Sequence, residues 1–298
     1  VDKEILRNLE INIFEEKEQV KIAKILTKID ETIKQTEKVI DKHERIKEGM
    51  MQDLFSKGID EKGNIRSEET HKFKDSPIGK IPEDWDVKQI DDITSFVGSG
   101  ITPRGGSQVY LKDGVPLIRS QNVYDDGIKF EGMAYISGKI DKMMKRTRVL
   151  NNDILLNITG ASLGRCCPVP IGFPSSNVNQ HVCIIRLENQ NYEDSYYVSK
   201  FLSSSKGQKQ IFNLNAGSNR EGLNFQQIRK IIIPYPIKKE REQIFKALEK
   251  AYSTIRINKI ELIKLNHLKA GLMQDLLTGK VRVNHLIERE SLNEKQNT

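Results

Sequence analysis

The chain has 298 residues, of which 37% are apolar and 30% charged, and its 48 basic and 41 acidic side chains leave a net charge of +7. That length allows about two domains, or one domain plus extended elements; the low apolar share points to a segment that exposes most of its surface, as a long helix does; and the small basic excess permits nucleic-acid binding but argues against a histone-like binder that works by charge alone. No run approaches the roughly 18–20 apolar residues of a membrane span, no signal peptide opens the sequence, and three clustered cysteines, Cys166, Cys167 and Cys183, are too few for a disulfide framework, so a reducing cytoplasm is expected.

Leu9 to Ile13 alternates as a short strand. A single long helix is expected next. Its seam is Ile22, Leu26, Ile29, Ile33, Thr36, Ile40, His43, Lys47, Met50 and Leu54, with spacings of four and three that match a coiled coil. About 38 residues at 1.5 Å rise span roughly 57 Å. Lys57-Gly58 is a C-cap signal. Residues 58–76 are polar and read as a linker.

Residues 77–237 have mixed character. Val115–Arg119, Asp153–Ile158 and Val182–Leu187 read as buried strands, and Tyr196–Leu202, Gln208–Phe212 and Phe225–Ile228 as short helices. Strands and helices do not alternate regularly, so the class expected is α+β rather than doubly wound. Ile231–Tyr235 is another short strand, and residues 238–280 form a second long helix. Its seam is Ile244, Leu248, Ala251, Ile255, Asn258, Leu262, Leu265, Lys269, Leu272 and Leu276, and Thr278-Gly279 ends it. A polar tail, 281–298, is expected to fray.

The two helices are copies. Met51-Gln52-Asp53-Leu54 recurs as Met273-Gln274-Asp275-Leu276, an offset of 222 (273 − 51), and the same offset aligns Ile22 with Ile244, Leu26 with Leu248 and Ile33 with Ile255. A lone helix with so narrow a stripe needs a partner, and the other copy, in the same register, supplies one. An antiparallel coiled coil is expected. Thr36 and Asn258 share one seam position, where a buried polar residue can set register.

Four polar loops punctuate the central segment: Gly98–Gly106, Thr159–Arg165, Ser175–His181 and Asn215–Arg220. Arg pairs with guanine and Asn or Gln with adenine, while Ser, Thr and backbone N–H groups hold phosphates. Arg104, Thr159, Ser162, Arg165, Asn177, Asn179, Gln180, Asn219 and Arg220 in these loops, with Arg119, Gln121 and Asn122 at the end of the Val115–Arg119 strand, are candidate DNA contacts. Ordinary surface loops carry the same residue types, and composition does not separate the two readings. Gly160–Gly164 is too short for a P-loop and lacks the following Lys-Ser/Thr.

Glu18–Leu26 and Glu242–Leu248, the run Leu268–Val283, Ile78–Trp85, Gly98–Pro103, Asp153–Leu156 with Gly160–Gly164, and Pro234–Pro236 together resemble the specificity subunits of Type I restriction-modification systems. The resemblance covers nearly the whole chain. It implies that residues 77–237 are a target recognition domain reading one half of a bipartite double-stranded DNA site. The helices at 15–57 and 238–280 would space that domain and dock methyltransferase subunits, which nuclease-translocase subunits join. S-adenosylmethionine would sit on the methyltransferase, where adenine N6 is methylated, and this chain would carry no cofactor. No Asn/Asp-Pro-Pro-Tyr/Phe segment, Walker motif or evident metal cluster is present, so a non-catalytic chain without metal or membrane association is expected. The family's usual order is recognition domain, helix, recognition domain, helix. Here the first recognition domain is missing, apart from a terminal strand within 1–14, and the sequence does not begin with Met. A fragment, a half-subunit, a recombination cassette and the specificity portion of a fused restriction-methylation enzyme all fit this departure. A second specificity chain is a further candidate partner.

Overall fold

The computed structural model describes residues 12–216 and 222–289. The fold is α+β, with two long helices, α1 (Glu16–Leu54) and α6 (Lys238–Leu277). The chain divides into two compact units: one holds residues up to 46 and from 251 onward, the other residues 47–250.

The first unit is an antiparallel helix pair. As numbers rise along α1 they fall along α6: Asp30 pairs with Lys269 at 2.6 Å and Glu44 with Lys259 at 2.8 Å. Every seam position from Ile22 to His43, and from Ile255 to Leu276, is buried or half-buried, while most residues between them are exposed. The narrow stripe is what leaves so much of these helices in water and lowers the apolar share of the whole chain. Ile22, Leu276 and Val283 form the buried core, with Phe14, Leu26, Leu272 and Leu286 packed on it. Leu286 belongs to a helical stretch, residues 284–289, so the start of the polar tail is ordered rather than frayed. Thr36 and Asn258 each bond a carbonyl four residues earlier in their own helix, at 2.9 and 2.8 Å. Their polarity is thus absorbed locally, and the ion pairs and apolar seam align the helices.

In the second unit, fourteen strands and four helices among the described residues build the domain around the candidate site. Antiparallel β4 (Thr94–Ser99), β10 (Ile154–Asn157), β11 (Cys166–Pro168) and β13 (Val182–Leu187) form a sheet in the order β11-β10-β13-β4. A second sheet has the order β8-β5-β12-β9, from β5 (Val115–Ile118), β8 (Ala134–Ile136), β9 (Arg148–Val149) and β12 (Ser176–Val178), with β5 and β12 parallel. Smaller pairs join β1 (Phe73–Lys74) to β2 (Ile81–Pro82), β3 (Asp86–Gln89) to β14 (Ile232–Tyr235), and β6 (Val123–Tyr124) to β7 (Gly127–Ile128). The helices are α2 (Gly138–Met143), α3 (Tyr192–Ser203), α4 (Ser205–Ala216) and α5 (Phe225–Arg229). Ile118, Val149 and Val178 from one sheet meet Leu155, Cys167, Val182 and Ile184 from the other in one core. Ile154, Leu156, Cys183 and Ile185, whose side chains alternate to the opposite face, are also fully buried. Strands buried on both faces read as unbroken apolar runs rather than alternating ones.

The two helix copies end in the same chemistry. Glu18, third residue of α1, accepts a bidentate pair from Arg282 and a bond from Val283 N–H at 3.2 Å, just beyond the end of α6. Glu240, third residue of α6, accepts from Ile59 N–H at 2.9 Å, Arg66 at 2.9 Å and the Trp85 indole at 3.0 Å, just beyond the end of α1. The offset of 222 aligns Glu18 with Glu240. Gly58 has φ of 67°, and an added Cβ would lie 2.2 Å from Glu240 Oε1 and 2.3 Å from Trp85, so only glycine fits this turn. The polar composition of 58–76 therefore hides a packed stretch in which Gly58, Ile59 and Arg66 are buried. Beside it, Asp194 takes a bidentate bond from Arg241 at 2.6 and 2.9 Å, and Phe55 packs edge-on against Tyr197 and Phe201.

Residues 1–11, which include most of the expected first strand, lie outside the described residues, as do Asn219 and Arg220.

Candidate nucleic-acid interface

Strand register decides where the polar loops emerge. Ser99 ends β4 opposite Cys183, Asn157 ends β10 opposite Val182, and Leu156 lies opposite Cys166 at the start of β11. In the second sheet Val178 ends β12 beside Ile118, the last residue of β5. Loops 100–106, 119–122, 158–165 and 179–181 therefore emerge at one end of the domain. Gly100 lets the first of them approach β12: a Cβ there would fall 1.7 Å from the Val178 carbonyl oxygen.

At that end Gln180 is exposed and held from two sides. Its Oε1 accepts from Thr102 Oγ1, and its Nε2 lies 2.8 Å from His181 Nε2. His181 Nδ1 is in turn 2.6 Å from Thr159 Oγ1. With the imidazole proton on Nδ1, donated to Thr159, His181 Nε2 accepts from the Gln180 amide. One N–H and one lone pair of that amide then remain for a ligand. Three of the loops meet in this chain of bonds. Thr102 and His181 lie outside the twelve candidate contacts, although His181 sits in a polar loop where it could touch DNA, and here both orient another side chain.

Arg104 is exposed and has no partner among the described residues. Arg165 is half-buried with its guanidinium 4.9 Å from the centre of the Tyr124 ring, and Lys129 lies 5.8 Å from the same ring. Arg119 donates to the Gly132 carbonyl at 2.6 Å and stacks over Tyr110, and exposed Gln121 donates to that same carbonyl at 3.2 Å. Ser162 accepts from Asn157 at 3.1 Å, and buried Asn179 accepts from His181 N–H at 3.1 Å.

Two candidates do not face outward. Asn122 is fully buried: it accepts from Arg119 N–H at 3.1 Å and donates to the Lys129 and Glu131 carbonyls at 3.0 and 3.2 Å. Asn177 is also fully buried, donating to Asp141 at 2.7 Å and accepting from Thr147 at 3.2 Å. Their amides are spent inside the domain, where polar groups must find partners, and neither is presented at the surface. Lys139, Lys142, Lys145 and Arg146, absent from the sequence-based candidates, are all exposed and unpaired among the described residues. Their signal was present in the sequence: four cations within eight residues.

The three cysteines are free and buried, and burial pushes the Cys167 and Cys183 thiols up to about 12, so they serve as small apolar core residues. Among the described residues no cluster of three His, Cys, Asp or Glu side chains is placed to hold a metal ion, and no helix is long and apolar enough to cross a membrane.

The architecture is that of an α+β domain with its polar loops gathered at one end, in a chain that also builds an antiparallel helix pair. Residues 82–267 match the model of the Type I restriction modification DNA specificity domain, and the chain belongs to that family. It is similar to the specificity subunit of the Type I restriction enzyme MjaVIII of Methanocaldococcus jannaschii, 27% identical over 96% of this chain and 65% of the relative. It is also similar to the EcoBI specificity subunit of Escherichia coli, 24% identical over 73% of this chain and 46% of that one. The chain thus spans less than two thirds of the length of these relatives. The crystal structure of a Type I restriction-modification S subunit from M. genitalium shares the fold, with a TM-score of 0.61 and 17% identity over 93% of this chain and 65% of that one.

Proposed function

We propose that this chain is a non-catalytic, cytoplasmic DNA-specificity subunit of a Type I restriction-modification complex, its α+β domain reading one half of a bipartite double-stranded site. The observation that carries this is the meeting of three polar loops at Thr102, Thr159, Gln180 and His181, which leaves an exposed amide with a fixed orientation. An amide so held can bond adenine N7 and N6 together. Arg104 and Arg165 supply guanine or phosphate contacts at the same end, and Thr159, Ser162, Arg119 and Gln121 hold the loops in place. The two long helices space the recognition domain and dock methyltransferase subunits, to which nuclease-translocase subunits add. S-adenosylmethionine belongs to the methyltransferase, so methyl transfer to adenine N6 needs no group on this chain.

The reading is tested by co-expressing the chain with a methyltransferase subunit of its own system and mapping methylated adenines in the host genome by single-molecule sequencing. The expected result is one defined motif, one half of which changes when loops 100–106 and 179–181 are exchanged for those of a relative. Because the chain spans less than two thirds of its relatives' length, a second specificity chain is the natural source of the other half-site. A motif that does not respond to the loop exchange would sink the assignment of base reading to this end of the domain.

A further inference from the structure

Residues 137–147 separate charge by depth. Ile140 and Met144 pack toward the core of Leu117, Ala134 and Ile136. Asp141, the one acid of the stretch, is 6% exposed and bound by both Arg148 and Asn177. Ser137 caps α2 by accepting from Ile140 N–H at 3.4 Å. Lys139 and Lys142 on α2, and Lys145 and Arg146 in the following 3-10 turn (Lys145–Thr147), are left on the outside. All four are exposed and none has a partner among the described residues. Over the whole chain bases and acids are nearly balanced, 48 to 41; here four cations stand with no exposed acid among them. A solvated face with no ligand gains nothing from such segregation, which adds like-charge repulsion.

Strand register places the strip beside the reading loops. Arg148 lies opposite Asn177 and Val149 opposite Ser176, so residues just before β9 run toward the end where β12 passes into loop 179–181. Thr147 is fastened there by its bond to Asn177. From residue 139 to 146 the chain covers on the order of 10–14 Å. Duplex DNA offers one phosphate charge per about 1.7 Å of axis, enough for each cation to meet one.

We infer that Lys139, Lys142, Lys145 and Arg146 form a phosphate-gripping strip that holds duplex DNA beside the loops that read it. The inference rests on the DNA-reading function proposed above and adds a surface that contributes affinity without sequence preference. Asn177 is a positioning residue for it, locking Asp141 and Thr147 so that the cations stay outward. A docking face for another protein would carry apolar side chains at its centre; this strip offers only Met143.

The test uses the full chain in complex with its methyltransferase subunits. A variant combining Lys139→Gln, Lys142→Gln, Lys145→Gln and Arg146→Gln is compared with wild type on a duplex containing the methylated motif and on a scrambled duplex, over a salt series. Binding of the variant is expected to weaken by the same factor on both duplexes. The slope of log K against log salt should become shallower by about 0.9 for each phosphate no longer neutralised, up to about 3.6 for all four. The charge-preserving variant Lys139→Arg, Lys142→Arg, Lys145→Arg should keep the wild-type slope, which separates charge from folding. An unchanged slope in the Gln variant overturns the inference. So does a loss confined to the specific duplex, which would make the strip a base reader, and so does failure of the Gln variant to assemble with methyltransferase subunits, which would make it a protein interface. Wild-type binding that does not distinguish the two duplexes would instead refute the reading function, while the slope comparison still judges the strip.

Discussion

Gln180 and Asn122 carry the same amide and sit in neighbouring loops, yet the structure gives them opposite surroundings. Gln180 is exposed, with its amide oriented by Thr102 and His181. Gln180→Ala should leave folding intact and relax discrimination at one base position by about 1–3 kcal/mol, measured by competition binding against duplexes changed one base at a time. An equal loss on every duplex would move Gln180 to the phosphate contacts. Asn122 has its amide bonded to one N–H and two carbonyls in the interior. Asn122→Ala leaves those groups unsatisfied and should lower stability by about 1–3 kcal/mol in urea titration, with the base preference unchanged. The two variants separate recognition from support in residues that composition alone treats as equals.

The buried carboxylates Glu18 and Glu240 show how each long helix is tied to the segment beyond the other helix's end. Glu240 is 3% exposed and binds Arg66, the Trp85 indole and Ile59 N–H. Glu240→Ala should destabilise the domain by about 3 kcal/mol, the lower end for a broken buried pair because Asp84 still holds Arg66. Trp85, the only tryptophan, reports the transition directly. Burial raises the Glu240 carboxyl above the ordinary carboxylate range, against the lowering pull of Ile59 N–H, Trp85 and Arg66. Between the ordinary glutamate value of about 4.3 and the raised one, the native chain binds more protons than the unfolded chain. Stability relative to Glu240→Gln should therefore fall as pH rises through that window and stay flat above it, as followed by urea midpoints across a pH series. A gap that widens with rising pH would contradict the burial account.

Over the whole molecule, the Ile22, Leu276 and Val283 core and the Trp85, Arg66 and Glu240 node share no residue. Ile22→Ala should cost about 2–4 kcal/mol in an unfolding transition followed by helical circular dichroism, and leave the Trp85 fluorescence transition in place. Lys259→Ala, which removes an exposed ion pair with Glu44, should cost less than about 1 kcal/mol. If Ile22→Ala shifts both probes equally, the two units unfold as one.

The two long helices, their seams, the antiparallel pairing and the α+β class were legible from the sequence, because periods of 3.5 and runs of buried strand residues are local patterns that burial imposes directly. The duplication was legible as well, and it foreshadowed the shared role of Glu18 and Glu240 without revealing their partners. Tertiary structure alone decided which polar residues face outward. Asn122 and Asn177 turn inward and Gln180 outward because strands distant in the chain set the register, and a buried amide must satisfy its donors and acceptors wherever that register leaves it. The strip at Lys139–Arg146 was written plainly as charge, but its place beside loop 179–181 follows from the pairing of β9 with β12, a contact between segments some thirty residues apart that no local pattern encodes.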